Sequence, residues 1–486
     1  MADINKAIKP IESVRIAPLN DGTIYQANKE IVFRLGAGLN MFLVNKSYLT
    51  FNLKCAGKTF SNVLSADGPG DSSANTDFYP TYIRNAANIF KTIEISYGGD
   101  VIYTSRTHNI EINTIRQTKY GDDYLDANWA TYTTTNMVKN KTAYLKLENA
   151  TKNGDSTHKK DLIREDQTIY NVQIPLNQIL PIFMDLGSEG FPMRSLNQQI
   201  EVRLLIADTY QYLIDWCSVT QDFITNKTKP YTKSAKYGWA TDNPISDRFS
   251  NSEITLDNVY IYANYYTPES SEAAIIDEKC KNGEYKLKYN TWVLDERQVD
   301  SIKSTQTIPA SVVTTNTKSI LIYCFKKQTS PSVMYKPNIN NFQLKIGSFT
   351  CPLQPIADST MVTPHEYKFQ VDDVFDNIDT YFTSTNSDYN KCYLFEGDGK
   401  VGTNLDKPSS LFYIFGMNYT SDPTDLGSDS SAWNSQYQMQ FNGVNDDGLN
   451  SSSTPPIKGP GLQFVIAVNT ECGLLIKENN IKTFTL

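Results

Sequence analysis

The sequence predicts an all-β protein built from two antiparallel β-sandwich domains, with few short helices and long loops. Apolar and polar residues alternate in segments spread from one end of the chain to the other. The chain is rich in Tyr (30) and Phe (22), and aromatic residues favour strands. Its 486 residues exceed what one hydrophobic core usually serves, which favours two domains of about 200–250 residues each.

The first half contains four segments in which every second residue is apolar. In the segment Ser47–Cys55, the side chains of Leu49, Phe51 and Leu53 would point to the same face. This period of two predicts antiparallel strands with one buried face. The other predicted buried faces are Ile93, Ile95 and Tyr97; Ile200, Val202, Leu204 and Ile206; and Val259, Ile261, Ala263 and Tyr265.

The second half shows two kinds of strand pattern. Alternating segments are Tyr285–Tyr289, Phe342–Ile346 and Tyr437–Phe441. Continuous apolar runs, which predict strands buried on both faces, are Ser319–Phe325, Leu411–Phe415 and Leu462–Val468. The strand number, uneven loops and sparse helices favour a sandwich over a meander barrel. Periodicity alone leaves a jelly roll and an immunoglobulin-like array both open.

Three segments have helical patterns. A capping box that starts at Thr363 predicts a helix over Pro364–Phe382. Asn109 is a suitable N-cap for a weaker helix over Ile110–Tyr120. A third helix, Pro268–Lys281, ends in lysines before Gly283, as helices often do.

The third helix would connect the two domains. We expect an N-terminal domain with an N-terminal arm and long loops at residues 1–267, a connector helix at 268–283, and a C-terminal domain with a C-terminal tail at 284–486. Long polar stretches rich in Ser, Thr, Asn and Gly interrupt both domains. Such loops usually serve a function or an assembly. They are Gly57–Asn85, Asp122–Asp166, Asp208–Ser250, Ser384–Leu405 and Thr420–Gly459.

Charge and cysteine content restrict the classes of function. A net charge of −8 gives no basic surplus for neutralising phosphates, so sequence-specific nucleic-acid binding is not expected. The seven cysteines are scattered, with no C-x-x-C pair, and predict buried free thiols in a reducing compartment. No signal-peptide core and no long apolar run are present, so we expect a protein that is not secreted.

No catalytic, cofactor-binding or metal-binding residues are predicted. His158 falls in a polar loop, His365 falls at a helix start, and His108 precedes a possible helix. No Cys/His cluster has metal-ligand spacing. The segment Glu396–Thr403 departs from the phosphate-loop pattern, and Asn445–Gly448 lacks the alternating acidic ligands of a calcium loop. The pair Asp372 and Asp373 would lie on an exposed helix face.

Several short blocks, in order along the chain, resemble the double jelly-roll major capsid proteins of virophages and polinton-like viruses, relatives of the adenovirus and tailless-phage lineage. Pro192–Leu204 resembles a late strand of the first jelly roll, and Leu256–Tyr265 resembles its final strand. Blocks that resemble the second jelly roll are Thr307–Ala310, Lys318–Tyr323, Asn341–Ser348 with Pro352–Ile356, and Phe464–Ala467. The resemblance covers most of the chain by layout, but only these blocks by residue.

The resemblance implies a structural protein without enzymatic activity. It implies two jelly rolls side by side, a homotrimer with a pseudo-hexagonal outline, and trimers that tile the icosahedral shell of a DNA virus. The implied partners are neighbouring capsomers, penton proteins and minor or cement capsid proteins. The implied location is the virion, after synthesis in the host cytoplasm.

Two other functions fit the residues. A carbohydrate- or receptor-binding β-sandwich surface protein would use the abundant tyrosines to stack on sugars, although aromatic residues are also common in cores and subunit interfaces. A glycoside hydrolase built on β sandwiches would need two opposed carboxylates in a cleft. No export signal supports the first, and no residue pattern identifies the second.

Overall fold

The structure is a computed structural model that describes residues 11–20, 22, 24–36, 38, 40–55, 58–60, 76–83, 86–110, 168–186, 190–208, 213–218, 254–299, 305–310, 317–326, 341–346, 349–357, 414–418, 437–442, 462–478 and 480–485. Strands dominate these residues. Among them, no helix is long and apolar enough to cross a membrane.

The strands fall into two groups, separated along the chain by one helix. The first group is β1 (Ile11–Ile16), β2 (Ile24–Gln26), β3 (Glu30–Leu35), β4 (Met41–Phe42), β5 (Tyr48–Cys55), β6 (Lys58–Phe60), β7 (Thr76–Ile83), β8 (Phe90–Tyr97), β9 (Asp100–Ser105), β10 (Thr168–Pro175), β11 (Ile200–Ile206), β12 (Leu213–Ser218) and β13 (Ile254–Tyr266). The second group is β14 (Tyr285–Val299), β15 (Thr305–Ala310), β16 (Thr317–Lys326), β17 (Asn341–Ile346), β18 (Phe349–Ala357), β19 (Ile414–Asn418), β20 (Tyr437–Asn442), β21 (Leu462–Lys477) and β22 (Asn480–Thr485).

Helical structure in the described residues is limited. The α-helical segments are α1 (His108–Ile110), α2 (Leu176–Ile179) and α3 (Ser270–Asn282). Short 3-10 turns are Val44–Lys46, Ala86–Ile89, Pro181–Leu186 and Met193–Ser195. Only α3 is long enough to join two domains, and it lies between the two strand groups.

The first group forms the two sheets of a jelly roll. One sheet has the order β1-β13-β5-β10, and the other has the order β3-β11-β8-β9. β2 pairs with β13 further along the edge that β1 occupies, so β1 and β2 form one interrupted strand. If that strand is counted as the first of eight, the strand order is 1-8-3-6 in one sheet and 2-7-4-5 in the other. These orders define the double-sheet jelly roll and exclude a simple meander.

The second group repeats the same arrangement. Its sheets have the orders β14-β21-β16-β19 and β15-β20-β17-β18, with β22 added beside β21. Numbered from β14 to β21, these are again strands 1, 8, 3, 6 and 2, 7, 4, 5. The described strands therefore form two jelly rolls of the same topology. The strand order thus identifies jelly rolls and excludes the immunoglobulin-like array that sequence periodicity left open.

The alternation in the sequence marks the buried faces of β5, β8, β11 and β13 correctly. Leu49, Phe51 and Leu53 in β5 are at most 1% exposed, as are the predicted inward residues of β11. The apolar run that predicted a strand at Leu462–Val468 is part of the longer β21, where residues 464–470 are all buried. The described strand Ile414–Asn418 overlaps the strand expected at Leu411–Phe415, and residues 411–413 lie outside the described residues.

Some expectations need correction. The connector helix begins at Ser270 rather than Pro268, because the backbone at Glu269 is still extended (φ −63°, ψ 156°). Asn109 lies inside α1 and does not precede it, and residues 111–120 of the expected helix lie outside the described residues. The expected helix over Pro364–Phe382 lies outside the described residues.

Two of the polar stretches contain strands. β6 and β7 lie within Gly57–Asn85, and β12 lies within Asp208–Ser250. Together they form a three-stranded sheet with the order β12-β7-β6. These short segments are rich in Thr and aromatic or branched residues, which favour strands even where the surrounding chain is polar.

Candidate functional site

In the described part of the chain, the two jelly rolls meet at a junction that combines apolar, aromatic and charged contacts. Buried residues of both halves form one continuous hydrophobic cluster. From the second half, Tyr289, Leu474 and Ile476 belong to this cluster and are at most 5% exposed. The ring of Tyr289 meets Tyr103 of β9 edge to face, with centroids 6.2 Å apart. Such a shared core resists relative movement of the two domains.

An ion pair fixes α3 to the first jelly roll. Asp277 accepts hydrogen bonds from both Arg194 Nε at 3.0 Å and Arg194 Nη2 at 2.9 Å. The hydroxyl of Ser195 donates to the same carboxylate at 3.0 Å. These hydrogen bonds, with that from Arg194 the strongest, hold the pKa of Asp277 below its ordinary value. A planar guanidinium and a carboxylate paired in this way also fix orientation.

A tight backbone position completes the junction. Gly190 has a φ of +77°, and its carbonyl accepts a hydrogen bond of 3.1 Å from the Tyr285 hydroxyl. A Cβ atom at this position would lie 3.2 Å from both the Phe42 carbonyl oxygen and a ring carbon of Tyr266. Glycine is therefore required both by backbone conformation and by space.

Two cysteines of the described chain are free, and both lie near the junction. Cys280 of α3 is buried, and Cys472 of β21 is half-buried. Burial raises the pKa of each thiol, which keeps it protonated and unreactive. The expectation of free thiols is confirmed for these two residues.

A second charged group ties three strands of the second jelly roll together. Glu471 of β21 contacts the ammonium groups of Lys318 in β16 and Lys288 in β14, the latter at 3.2 Å. Burial by itself would raise the pKa of Glu471, but the two lysines outweigh it and the pKa is lowered. The side chains of Lys318 and Glu471 are 8% and 12% exposed, so this pair is largely removed from water.

Among the described residues, β1 forms an exposed edge of the first jelly roll. Every residue of this strand is exposed except Ile16, which is half-buried. Ile11 and Val14 are 51% and 38% exposed although they are large and apolar. Contacts with the domain nevertheless hold β1 in place, including Arg15 over the ring of Tyr260 at 3.5 Å.

Few of the residues considered as catalytic or metal-binding candidates lie among the described residues. His108 is buried at the start of α1. His158, His365, Asp372, Asp373 and the segments 396–403 and 445–448 lie outside the described residues. In the described part of the chain, no group of three or more His, Cys, Asp or Glu residues could hold a metal ion.

Sequence reasoning missed the residues that build the junction. Arg194 and Asp277 are 83 positions apart, and nothing local links them. A weak signal did exist for the second charged group. Lys318 opens an apolar run and Glu471 interrupts another, and a charge inside a buried strand usually has a partner.

Among comparisons with known proteins, only the comparison with solved structures finds matches. No protein-family model matches the sequence. No curated protein matches it either. The fold, in contrast, is that of viral capsid proteins built from two jelly rolls.

Two solved structures carry that conclusion. One is PBCV-1 VP54 fitted into a cryo-EM reconstruction of the virophage Sputnik, with a TM-score of 0.50 and 8% identity over 98% of this chain and 97% of that chain. The other is the PBCV-1 virus capsid, with a TM-score of 0.50 and 10% identity over the same shares. The mavirus major capsid protein aligns with 97% of this chain and 90% of its own, at 10% identity and a TM-score of 0.47.

Proposed function

We propose that this chain is a major capsid protein that forms the icosahedral shell of a DNA virus, as a structural subunit without catalytic activity. The observation that carries the proposal is the repeated jelly-roll topology, with residues of β14 and β21 packed into the hydrophobic cluster of the first jelly roll. A rigid pair of similar sandwiches is a building block that can imitate sixfold packing when three copies meet around a closed threefold axis.

The proposal includes the organisation expected from the sequence. The chain would divide into residues 1–267, the connector 268–283 and residues 284–486. All pairings among the described strands occur within one of the two groups, which supports this division. Three chains would form a capsomer, and capsomers would meet each other, penton proteins and minor or cement proteins in the virion. Synthesis would take place in the host cytoplasm.

The net charge of −8 suits a container for DNA that does not bind the DNA tightly. A shell lined by such chains needs no phosphate contacts, because its strength comes from contacts between protein subunits. The alternative of a carbohydrate- or receptor-binding surface protein predicts a monomer or small oligomer that retains a glycan.

Purified protein tests the proposal directly. Size-exclusion chromatography with light scattering should give a mass three times that of the chain, and electron microscopy should show particles with threefold symmetry and a hexagonal outline. A chain that stays monomeric at every concentration would contradict a capsid role. A glycan array run on the same sample distinguishes the two proposals. A carbohydrate-binding protein should retain a glycan, whereas the capsid proposal requires no glycan binding.

A further inference from the structure

The strand β22 lies outside the eight-strand pattern of the second jelly roll. The strands β14 to β21 complete that pattern, and β22 is a further strand beside the end of β21. It pairs antiparallel with β21 from Cys472, opposite Thr485, to Lys477, opposite Asn480. On its other side, the same part of β21 pairs with the beginning of β14. The second jelly roll therefore does not need β22 to close its sandwich.

The first jelly roll fills the equivalent position with β4. There Tyr265 and Tyr266 of the eighth strand pair with β1 on one side and with Phe42 and Met41 of β4 on the other. The outer side of β4 is bonded to Phe191 by two backbone hydrogen bonds of 2.7 and 2.8 Å. Among the described strands, β22 pairs with β21 alone. The position is thus held from two sides in the first jelly roll and from one side in the second.

One face of β22 turns towards the first jelly roll. Ile481 pairs with Ile476 of β21, so the two side chains lie on the same face of the sheet. Both belong to the hydrophobic cluster that contains the core of the first jelly roll, and Ile481 is only 5% exposed. β22 also lies against β9 of the first jelly roll. Its backbone is therefore bonded to one domain while its buried side chain packs into the cluster of the other.

The opposite face of β22 is attached through Phe484. This residue pairs with Gly473 of β21, and a Cβ atom at Gly473 would overlap the Phe484 ring. Gly473 is not among the glycines with a positive φ, so its backbone does not require glycine. A glycine inside a strand often marks a place where another group approaches closely. Here that group is the Phe484 ring, which occupies the space that a side chain would fill.

We propose that β22 is a strap that locks the two jelly rolls together and that can leave its place while both jelly rolls stay folded. A strand paired on one side, with one deeply buried side chain, has little to hold it compared with a strand inside a sandwich. When the strap is seated, Ile481 closes the junction beside β9. When it is displaced, the junction keeps only the contacts of α3, β14 and β21. The inference goes beyond the capsid proposal and does not depend on it.

Hydrogen exchange tests whether the strap opens alone. The β22 amides that are bonded to β21 should exchange at least about tenfold faster than those of residues 464–470, which lie between β14 and β16 in the same sheet. Low concentrations of urea should change the β22 rates little, because a local opening exposes little surface. Equal rates with an equal urea dependence would overturn the proposal, since the strap would then open only together with the jelly roll.

A substitution under the ring tests how the strap is fastened. Gly473→Ala should displace Phe484 and raise the exchange rate of β22 by about a further tenfold. The same substitution in a Phe484→Ala background is the matched control and should not raise the rate, because the ring is already absent. Phe484→Ala alone should accelerate exchange without adding an atom, which covers the case in which Gly473→Ala fails to fold. Unchanged exchange in Phe484→Ala would refute a strap that is fastened on both faces.

Calorimetry tests the lock. Deletion of residues 480–486 and the substitution Ile481→Asp should each separate the single unfolding transition into two, because both remove the strap from the junction. Lys482→Asp is the matched control, since Lys482 is the next residue of β22 and is exposed, and it should leave one transition. A single transition in both the deletion and Ile481→Asp would overturn the proposal, and so would two transitions in the wild type.

Discussion

Single residues at the junction set how firmly the two jelly rolls are joined. Gly190 is the most restricted of them, because its φ of +77° and its crowded surroundings both exclude a side chain. Arg194, Ser195 and Asp277 add the polar part of the contact. Each of these positions makes a prediction that can be measured on the isolated protein.

Gly190→Ala should lower the free energy of unfolding by about 2–4 kcal/mol, from the left-handed backbone and the close contacts together. Gly99→Ala is the control, because Gly99 also has a positive φ (+95°) but a Cβ there would meet nothing within 4 Å. That variant should lose only about 1–2 kcal/mol. Urea denaturation measures both values, and equal losses would show that crowding at Gly190 is unimportant.

The Asp277 carboxylate predicts a dependence on pH. Its folded pKa is lowered, so its contribution to stability is present above the unfolded pKa and is lost as the pH falls through the folded pKa. Asp277→Asn should therefore flatten the decline of stability below about pH 4. Because the side chain is 46% exposed, the pair should contribute only about 0.5–1 kcal/mol at neutral pH.

A double-mutant cycle with Arg194→Met separates the pair from other effects. The coupling energy between the two substitutions should vanish in strong acid, where the carboxylate is protonated. A coupling that is unchanged between pH 7 and pH 2 would rule out the carboxylate as its source.

At the level of strands, alternation was enough to find the elements but not their irregularities. β13 contains a bulge between Asp257 and Tyr260, where Asn258 has a positive φ of 51°. Val259 lies within the bulge, and Ile261, Ala263 and Tyr265 lie after it. All four residues of this predicted face are buried as expected. The bulge was not predictable, because it depends on the register with β5, a strand some 200 residues earlier in the chain.

The two ends of the connector helix differ in how well the sequence predicts them. Its end at Gly283, with a φ of +73°, was readable because a left-handed C-cap needs glycine. Its beginning was not, since Glu269 makes no side-chain cap hydrogen bond. What the helix contacts depends on residues far away in the sequence. The contacts of the junction were therefore found in the structure and not in local sequence patterns.

The charged group across β14, β16 and β21 predicts unequal roles for its two lysines. Lys318→Met should destabilise the protein by about 3–5 kcal/mol, because it leaves Glu471 largely buried beside a single, mostly exposed lysine. Lys288 is 64% exposed, so Lys288→Met should cost less than about 1 kcal/mol.

Combining Lys318→Met with Glu471→Leu tests the explanation. Because the double variant removes both charges, it should recover part of the stability that Lys318→Met loses in thermal or urea unfolding. A double variant that is less stable than Lys318→Met alone would mean that the ion pair is not the cause.

For the whole molecule, the shared core predicts joint unfolding of the two jelly rolls. Calorimetry of the wild type should show one transition, because the cluster that contains Tyr289, Leu474 and Ile476 spans both halves. Tyr289→Ala should cost about 3–5 kcal/mol and separate the transition into two. Tyr285→Phe removes one hydroxyl and keeps the ring, so it should cost about 1 kcal/mol and leave a single transition.

Two transitions in the wild type would contradict the idea of a rigid pair. In that case each jelly roll would have to be treated as an independent unit connected by α3.

The pairing of the first and eighth strands also controls when the first jelly roll can close. Ser13 of β1 contacts Asn264 of β13, 251 positions later in the chain. A ribosome needs roughly 13–50 s to add that many residues. Until then β1 lacks the strand it pairs with, and the sheet of the first jelly roll stays incomplete. A nascent or truncated chain that stops before β13 thus cannot complete this domain, so the first jelly roll can close only after more than half of the chain has been made.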